Sequence, residues 1–237
     1  MIDIKVFGSG SSGNGYVIDN GTDQLLLEAG IRYKDVAVGL GFDFSRVRGL
    51  LITHEHGDHS KYIKQFIDKT TIDVYMSAGT AAALELEPSY RIHIVRPFQR
   101  LHLGTWSVTG FSVQHDAAEP LGYVCDTNAG QHLLYVTDTY YVRYRFEGIT
   151  HMLVEMNYAE DLATYNETHN GYNHTLHKRI YTSHFEEQAS LQFIDANKSR
   201  SLQQVMLIHV SATNGDPARF KQATQEITGV PVSVAGW

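Results

Sequence analysis

Cysteine is nearly missing. Cys125 is the single thiol among 237 residues, so no disulfide can close within the chain, and a reducing cytosol is the expected compartment. Proline is scarce as well, with 5 in all, and no proline-rich or low-complexity tract marks a linker. One domain over residues 1–237 is therefore expected. Long apolar runs are missing. Leu25–Leu27 and Gly49–Ile52 fall far short of a membrane span, so no membrane partner is expected. The first residues, Met1-Ile2-Asp3-Ile4-Lys5, lack the basic segment and apolar stretch of a signal peptide. Positive charge is in deficit, with 19 Lys and Arg against 26 Asp and Glu and a net charge of -7. That balance argues against a broadly basic nucleic-acid surface but leaves room for a small positive patch beside a site. With 43% hydrophobic and 19% charged residues, the mix excludes a disordered chain.

What the chain has in excess is histidine, 13 in all. With one thiol present, such an excess points to imidazole and carboxylate metal ligands. Strands are expected at 2–7, 16–19, 24–28, 47–53, 72–76 and 92–95, and again at 106–113, 122–126, 132–136, 152–155 and 205–209. Asn20-Gly21 reads as a hairpin signal. Helices are expected at 31–40, 59–66, 80–86, 186–197 and 217–228, while the polar stretch 158–177 reads as a loop or lid. Strands in both halves with helices between them suggest an α/β (α+β) fold built as an αββα sandwich.

The most informative segment is Thr53-His54-Glu55-His56-Gly57-Asp58-His59, directly after an apolar strand-like run. Alternate residues of an extended turn point the same way, so His54 and His56 can grip one ion. If Gly57 reverses the chain, Asp58 and His59 face a second ion. Two ions held ~3.5–4 Å apart can share and activate one water. The donors suit Zn(II) first, with Mn(II) or Fe(II) as further options.

The pattern His-x-His-x-Asp-His resembles the signature of the metallo-β-lactamase superfamily. The resemblance extends over most of the chain and is strongest to the YycJ/WalJ-type branch. It is carried further by Gly8-Ser9-Gly10-Ser11-Ser12-Gly13-Asn14, Leu25–Gly30, His115-Asp116-Ala117 with Pro120-Leu121-Gly122-Tyr123, Thr137-Asp138-Thr139, Glu155-Met156-Asn157 and Ile208-His209-Val210-Ser211. The resemblance implies the αββα metallo-β-lactamase fold and two divalent ions. One ion takes His54, His56 and His115, the other Asp58, His59 and His209, and Asp138 bridges them. Asp58 also orients the attacking water or accepts its proton. His184, in Ser183-His184-Phe185, resembles the histidine that precedes a helix in this branch and in tRNA 3′-processing endonucleases, where it donates a proton to the leaving oxygen. Three positions depart from the family pattern: Glu28 stands for the usual Asp that orients a metal-bound imidazole, Gly15 for Ser, and Ser183 for Gly.

Two close dications support hydrolysis in general. Phosphodiesters are favoured because the ligand set lacks cysteine, because His184 offers a proton to an alkoxide, and because Lys178 and Arg179 offer positive charge to a phosphate. The resembled branch adds nuclease action on DNA, exonuclease-like in form. The alternatives are a cyclic- or short-nucleotide phosphodiesterase, a thioesterase or lactonase on the same ions, and a metal-binding module without turnover. A nucleic acid or nucleotide is the expected partner, and a homo-oligomer is left open. In the stretch 158–177, Tyr158, Tyr165 and Tyr172 could stack on bases, and His169, His174 and His177 could meet phosphate. The Gly8–Gly15 run lacks the Gly-Lys-Ser/Thr ending of a nucleotide-binding loop and is expected to be a turn beside the metals.

Overall fold

The computed structural model describes residues 2–169 and 174–236, and for 174–178 the backbone alone. Its residues form two compact units, 1–112 with 117–131 and 113–116 with 132–237.

The first unit begins with strands β1 (Asp3–Gly8), β2 (Gly15–Asp19) and β3 (Gln24–Leu27), followed by helix α1 (Tyr33–Gly39) and strand β4 (Val47–Leu51). Helices α2 (Gly57–Ser60) and α3 (Ile63–Lys69), strand β5 (Val74–Met76), helix α4 (Ala78–Ala83) and strand β6 (Ile92–Ile94) come next. Strands β7 (Arg100–Leu103), β8 (Trp106–Ser112) and β9 (Leu121–Thr127) complete it. The first six strands form one sheet in sequential order, antiparallel through β3 and parallel from there to β6. The Asn20-Gly21 hairpin is present. Asn20 Oδ1 accepts from the backbone N–H of Thr22 and Asp23 at 3.0 and 2.9 Å, and Gly21 takes φ +90°. Strands β7 to β9 form an antiparallel meander.

Each face of the six-stranded sheet is covered. Val17, Leu26, Leu50, Ile52, Val74 and Met76 pack against Val36 of α1 and Ile63 and Phe66 of α3. On the meander, Tyr123 donates its hydroxyl to Ile52 O at 2.7 Å. A β-carbon at Gly49 would meet Tyr75 Cε2 at 2.8 Å, so the glycine lets that ring lie flat on the strand. Asp23, only 3% exposed, fastens the meander to the sheet. It accepts from Arg48 Nε at 2.6 Å and from Thr105 N and Oγ1 at 2.8 and 2.9 Å, and its carbonyl accepts from Trp106 Nε1 at 3.0 Å. Burial pushes its carboxyl up, but the Thr105 and Arg48 donors outweigh that and hold it below the usual range. Cys125, fully buried on β9, has its thiol pushed well up by burial.

The second unit holds strands β10 (His132–Val136) and β11 (His151–Glu155), helices α5 (Glu160–His169), α6 (His174–Ser183) and α7 (Glu187–Asn197), strand β12 (Gln204–Ile208), helix α8 (Pro217–Thr228) and strand β13 (Val232–Val234). Strands β10 to β13 run parallel in sequential order. Strand β11 is buried at all five residues, and its middle, Met152–Val154, is apolar. The last helices start where their caps dictate. Glu186 accepts from Gln188 N and Ala189 N, and Asp216 accepts from Arg219 N with Pro217 behind it. Gly229 ends α8 at φ +69°.

Within the stretch 158–177, expected as a loop or lid, Glu160–His169 forms α5 and the chain from His174 begins α6, while 170–173 lie outside the described residues. Helix α5 buries only Ala163, so it shows no apolar stripe. Polar contacts hold it: Asp161 pairs with Arg219, and Asn166 donates to Thr213 O and Asn214 Oδ1. Gly57 opens α2 in helical geometry rather than making a reversal by positive φ. Strands β7 and β13 are short additions that the pattern did not reveal. Among the described residues, no helix is long and apolar enough to cross a membrane.

Two outcomes follow. Asp23→Ala should cost about 2–3 kcal/mol in urea unfolding, because it strands the Thr105 N–H and loosens the meander. A loss within error of zero would show that Asp23 is not a fastening point. His151, 1% exposed on β11, is pulled down to about 4 by burial. Its folded value lies below its unfolded one, so between about pH 6.5 and 4 only the unfolded chain binds the proton and stability falls as pH falls. His151→Gln, measured in chelator, should lose up to about 1.4 kcal/mol less per pH unit across that window. Parallel curves would refute the assignment.

Candidate metal centre

In the first unit, β4 ends at Leu51 and delivers Thr53 and His54 into the interior, 1% exposed each. His54 meets Thr53 Oγ1 through Nδ1 at 2.9 Å, and the same hydroxyl donates to Glu28 Oε1 at 2.7 Å. Tying Nδ1 in this way turns Nε2 in the opposite direction. The His54 ring centroid lies 4.8 Å from that of His56 and 4.2 Å from that of His59. Asp58 Oδ2 lies 3.4 Å from His59 Nε2, and Glu28 Oε1 3.4 Å from His59 Nδ1. The three imidazoles and the Asp58 carboxylate therefore share one small space. The longer Glu28 still reaches both Thr53 and His59, and its own backbone takes φ +66° to do so.

The Gly8–Gly15 run supports this turn from behind. Asn14 N donates to Asp58 O at 2.7 Å, Ala29 N to His59 O at 2.7 Å, and Gly30 N to Asn14 O at 3.0 Å. Asn14 Nδ2 lies 3.0 Å from His59 Nε2. A β-carbon at Gly30 would fall 1.7 Å from Asp58 O, so only glycine allows the strand-end loop to seat the metal turn.

In the second unit, Asp138, Glu155 and His209 each end a strand. Asp138 is 3% exposed and accepts from Thr137 Oγ1 at 2.6 Å. His209 Nε2 lies 3.6 Å from Asp138 Oδ1, and its Nδ1 lies 3.1 Å from Asn157 Nδ2 and 3.3 Å from Glu155 Oε1. His115 Nδ1 lies 2.8 Å from Ser183 O. A carbonyl only accepts, so that nitrogen carries the hydrogen and Nε2 keeps its lone pair. His115 Nε2 faces Asp116 Oδ1 at 3.4 Å and Asp138 Oδ2 at 3.8 Å.

These separations are long for hydrogen bonds and short for groups that all accept. Two donors each ~2.1 Å from a shared ion at the tetrahedral angle stand ~3.4 Å apart. Asp138 and His209 of this unit therefore suit a divalent cation, and polar atoms of Glu155 and His184 lie within 4.8 Å of theirs.

Glu155, fully buried, is the group that motif reading left without a role. Its Oε1 lies 2.7 Å from His184 Nδ1, and its Oε2 accepts from Thr139 N at 3.0 Å and Phe185 N at 3.3 Å. Burial pushes this carboxyl up, but the charge on His184 and its hydrogen bonds bring it below the usual range. Burial likewise pulls His184 down, yet the adjacent Glu155 raises it overall. Each group is among the causes that shift the other, and both shifts favour the charged form. Glu155 ends an apolar strand as Asp138 and His209 do, and that shared position was the signal by which it could have been found.

Arg179 is exposed, and its Nε donates to Asp116 Oδ2 at 2.7 Å, so it braces the turn carrying His115. The Lys178 side chain lies outside the described residues, as do Tyr172 and the side chains of His174 and His177. Tyr158 is not available to stack on a base. It is 2% exposed and packs edge-on against Tyr181 at 5.4 Å. Tyr165 is exposed but stacks on His169 at 4.3 Å.

Known proteins resemble this chain in sequence and in fold. A model of the beta-lactamase superfamily domain matches residues 16–210. Exodeoxyribonuclease YycJ of Bacillus anthracis is 32% identical over 152 residues, covering 61% of this chain and 57% of that protein. Exodeoxyribonuclease WalJ of Streptococcus pneumoniae is 29% identical over 172 residues, covering 67% of this chain and 63% of that protein. The chain thus spans about six tenths of the length of these curated relatives. YhfI of Bacillus subtilis, a metallo-beta-lactamase fold protein, aligns with a TM-score of 0.70 at 15% identity, over 99% of this chain and 95% of its own. That likeness bears on fold alone, and it agrees with the α/β sandwich expected from the strand and helix pattern. With its matched domain, its strand-end donors and these relatives together, the chain belongs to the metallo-β-lactamase superfamily, near the YycJ/WalJ-type branch.

Proposed function

We propose that the chain, as one metallo-β-lactamase-like domain, is a metal-dependent phosphodiesterase acting on nucleic acid, with DNA as the first substrate to test. The observation that carries this reading is the part-buried Glu155–His184 pair beside Asp138 and His209, whose donor atoms cluster closely. The names of the relatives in Bacillus anthracis and Streptococcus pneumoniae, both exodeoxyribonucleases, support the substrate class.

In this reading His54, His56 and His115 would hold one ion, Asp58, His59 and His209 the other, with Asp138 a ligand as well. Zn(II) is the first candidate, with Mn(II) or Fe(II) after it. Bound divalent ions would supply an activated water at neutral pH and offset the charge gained by the phosphoryl oxygens. The protein groups would do the rest. Asp58 would orient the attacking water and accept its proton. Glu155, pinned by the Thr139 and Phe185 N–H groups, holds His184 protonated and aimed through its other nitrogen. His184 gives that proton to the departing alkoxide, and Glu155 steadies the charge through the cycle.

The test uses two leaving groups. A nucleotide alkoxide needs a proton to depart, whereas p-nitrophenolate does not. His184→Gln should therefore lower kcat on labelled oligodeoxynucleotides by about 10²–10⁴-fold and leave bis(p-nitrophenyl) phosphate within a few-fold of wild type. Equal loss on both substrates would remove His184 as the proton donor. His56→Ala and Asp138→Asn should lower both the bound metal, read by elemental analysis, and turnover of both substrates. Full activity in those variants would refute the ligand assignment. Turnover of thioesters or lactones with phosphodiesters inert would move the site to another hydrolase class, and bound metal with no turnover would make it a binding module.

A further inference from the structure

We propose that the segment Tyr140-Tyr141-Val142-Arg143-Tyr144-Arg145 and the cleft beside it bind a single strand of nucleic acid, with one base in the cleft and neighbouring phosphates on the two arginines. The proposal rests on the phosphodiesterase reading for its biological sense, not for its test.

The segment follows directly on Asp138 and Thr139. It borders a cleft of about 230 Å³ within the second unit. That volume is below the ~300–1,000 Å³ of sites for drug-sized ligands and suits one planar ring. Phe185 and Phe193, 5.6 Å apart, supply an apolar floor, and Tyr140 and Tyr141 stand at the rim, 43% and 56% exposed. Exposed tyrosines over phenylalanines form a platform on which any base can stack, whatever its identity.

The charge is of one sign. Arg143 and Arg145 line the cleft and no acidic side chain does. Neither arginine takes a carboxylate among the described residues, whereas Arg46, Arg48, Arg179 and Arg219 each do. In a chain of net charge -7, two exposed and uncommitted arginines beside four aromatic rings are a local reversal of the overall balance.

The segment is also fixed in advance. Thr139 Oγ1 lies 2.9 Å from Tyr141 O and 3.0 Å from Gln114 O, Val142 is buried, and Phe146 N donates to Asn197 Oδ1 at 2.7 Å. A site held at both ends gives up little conformational freedom on binding. Phe185 follows His184 in the chain, and Tyr140 stands two residues after Asp138. The cleft lining and the groups assigned to chemistry thus occupy neighbouring positions in the chain. A duplex keeps its bases stacked inside, so the cleft selects a single strand or a frayed end.

Binding can be read without turnover. Fluorescence anisotropy of a labelled twelve-nucleotide strand, with the full chain held in chelator, should show Arg143→Ala with Arg145→Ala weakening binding about ten-fold. The slope of log affinity against log salt should shrink by about 1.4, near 0.7 for each phosphate that no longer meets an arginine. Arg143→Lys with Arg145→Lys should restore most of the slope, and Tyr140→Ala with Tyr141→Ala should weaken binding at least about five-fold while leaving the slope unchanged. Deoxyribose and ribose strands run side by side separate DNA from RNA, and a duplex of equal length should bind more weakly than either. Wild-type affinity and slope in the double arginine variant would overturn the proposal. So would a patch whose variants disrupt only self-association of the chain. If wild type binds the strand in this way yet hydrolyses no phosphodiester when loaded with metal, the functional reading above fails and this site stands.

Discussion

Two carboxylates, Asp138 and Glu155, sit 3% and 0% exposed in the same unit. Burying one charge from water is costly, and burying two together adds mutual repulsion unless positive charge is supplied. The surroundings answer that demand in two ways. Glu155 takes the imidazolium of His184 and two backbone N–H groups. Asp138 takes the Thr137 hydroxyl, and nitrogens of His115, His209 and His184 lie 3.6–3.8 Å from its oxygens. In the proposed reading the two carboxylates divide the labour of the site: Glu155 would position the proton donor, and Asp138 would hold metal.

The first unit solves a related problem with backbone. Four donor residues fall within six positions of chain, which is too short a stretch to rely on tertiary packing for each. Helix α2 closes the turn, and the glycine-rich run after β1 supplies Asn14, whose amide and backbone touch both Asp58 and His59. A loop that resembles a phosphate cradle in composition serves as a rear support. Its glycines follow from the closeness of two backbones, as the Gly30 contact with Asp58 O makes plain.

Much of this was legible in the residues. Strand ends delivering His54, Asp138 and His209 could be read from apolar runs stopping at a ligand-type residue, and helices 186–197 and 217–228 from their caps. The order of the motifs gave the family. Three features were hidden, each for a physical reason. Helices α5 and α6 lie in polar sequence because α5 is held by ion pairs and amides rather than by a buried stripe, and periodicity cannot register that. Glu155 belongs to no ligand motif, since its partner His184 lies 29 positions away and only the fold joins them. Tyr158 looked like a free aromatic in a polar loop, and its burial depends on the packing of Tyr181, which local pattern does not contain.

The backbone itself marks the same residues. Glu28, Asp138 and His209 adopt φ of +66°, +46° and +54°, a region that side chains other than glycine's rarely occupy. All three directly follow, or fall within two residues of, the end of a strand, where twist would otherwise carry the side chain past the site. Glycine would relieve the backbone at each position but would bring no carboxylate or imidazole. The strain, on the order of 1–3 kcal/mol at each such residue, persists only where surrounding contacts over-determine the conformation. Those contacts are Thr53 on Glu28, Thr137 on Asp138 and Asn157 on His209. A fold selected for stability alone would have let these positions relax. Of the six non-glycine residues with positive φ among the described residues, Phe42, Glu85 and Phe98 stand in turns, while Glu28, Asp138 and His209 are ligand-type and each has a hydrogen-bonding neighbour, which argues that these strand ends serve to aim donors.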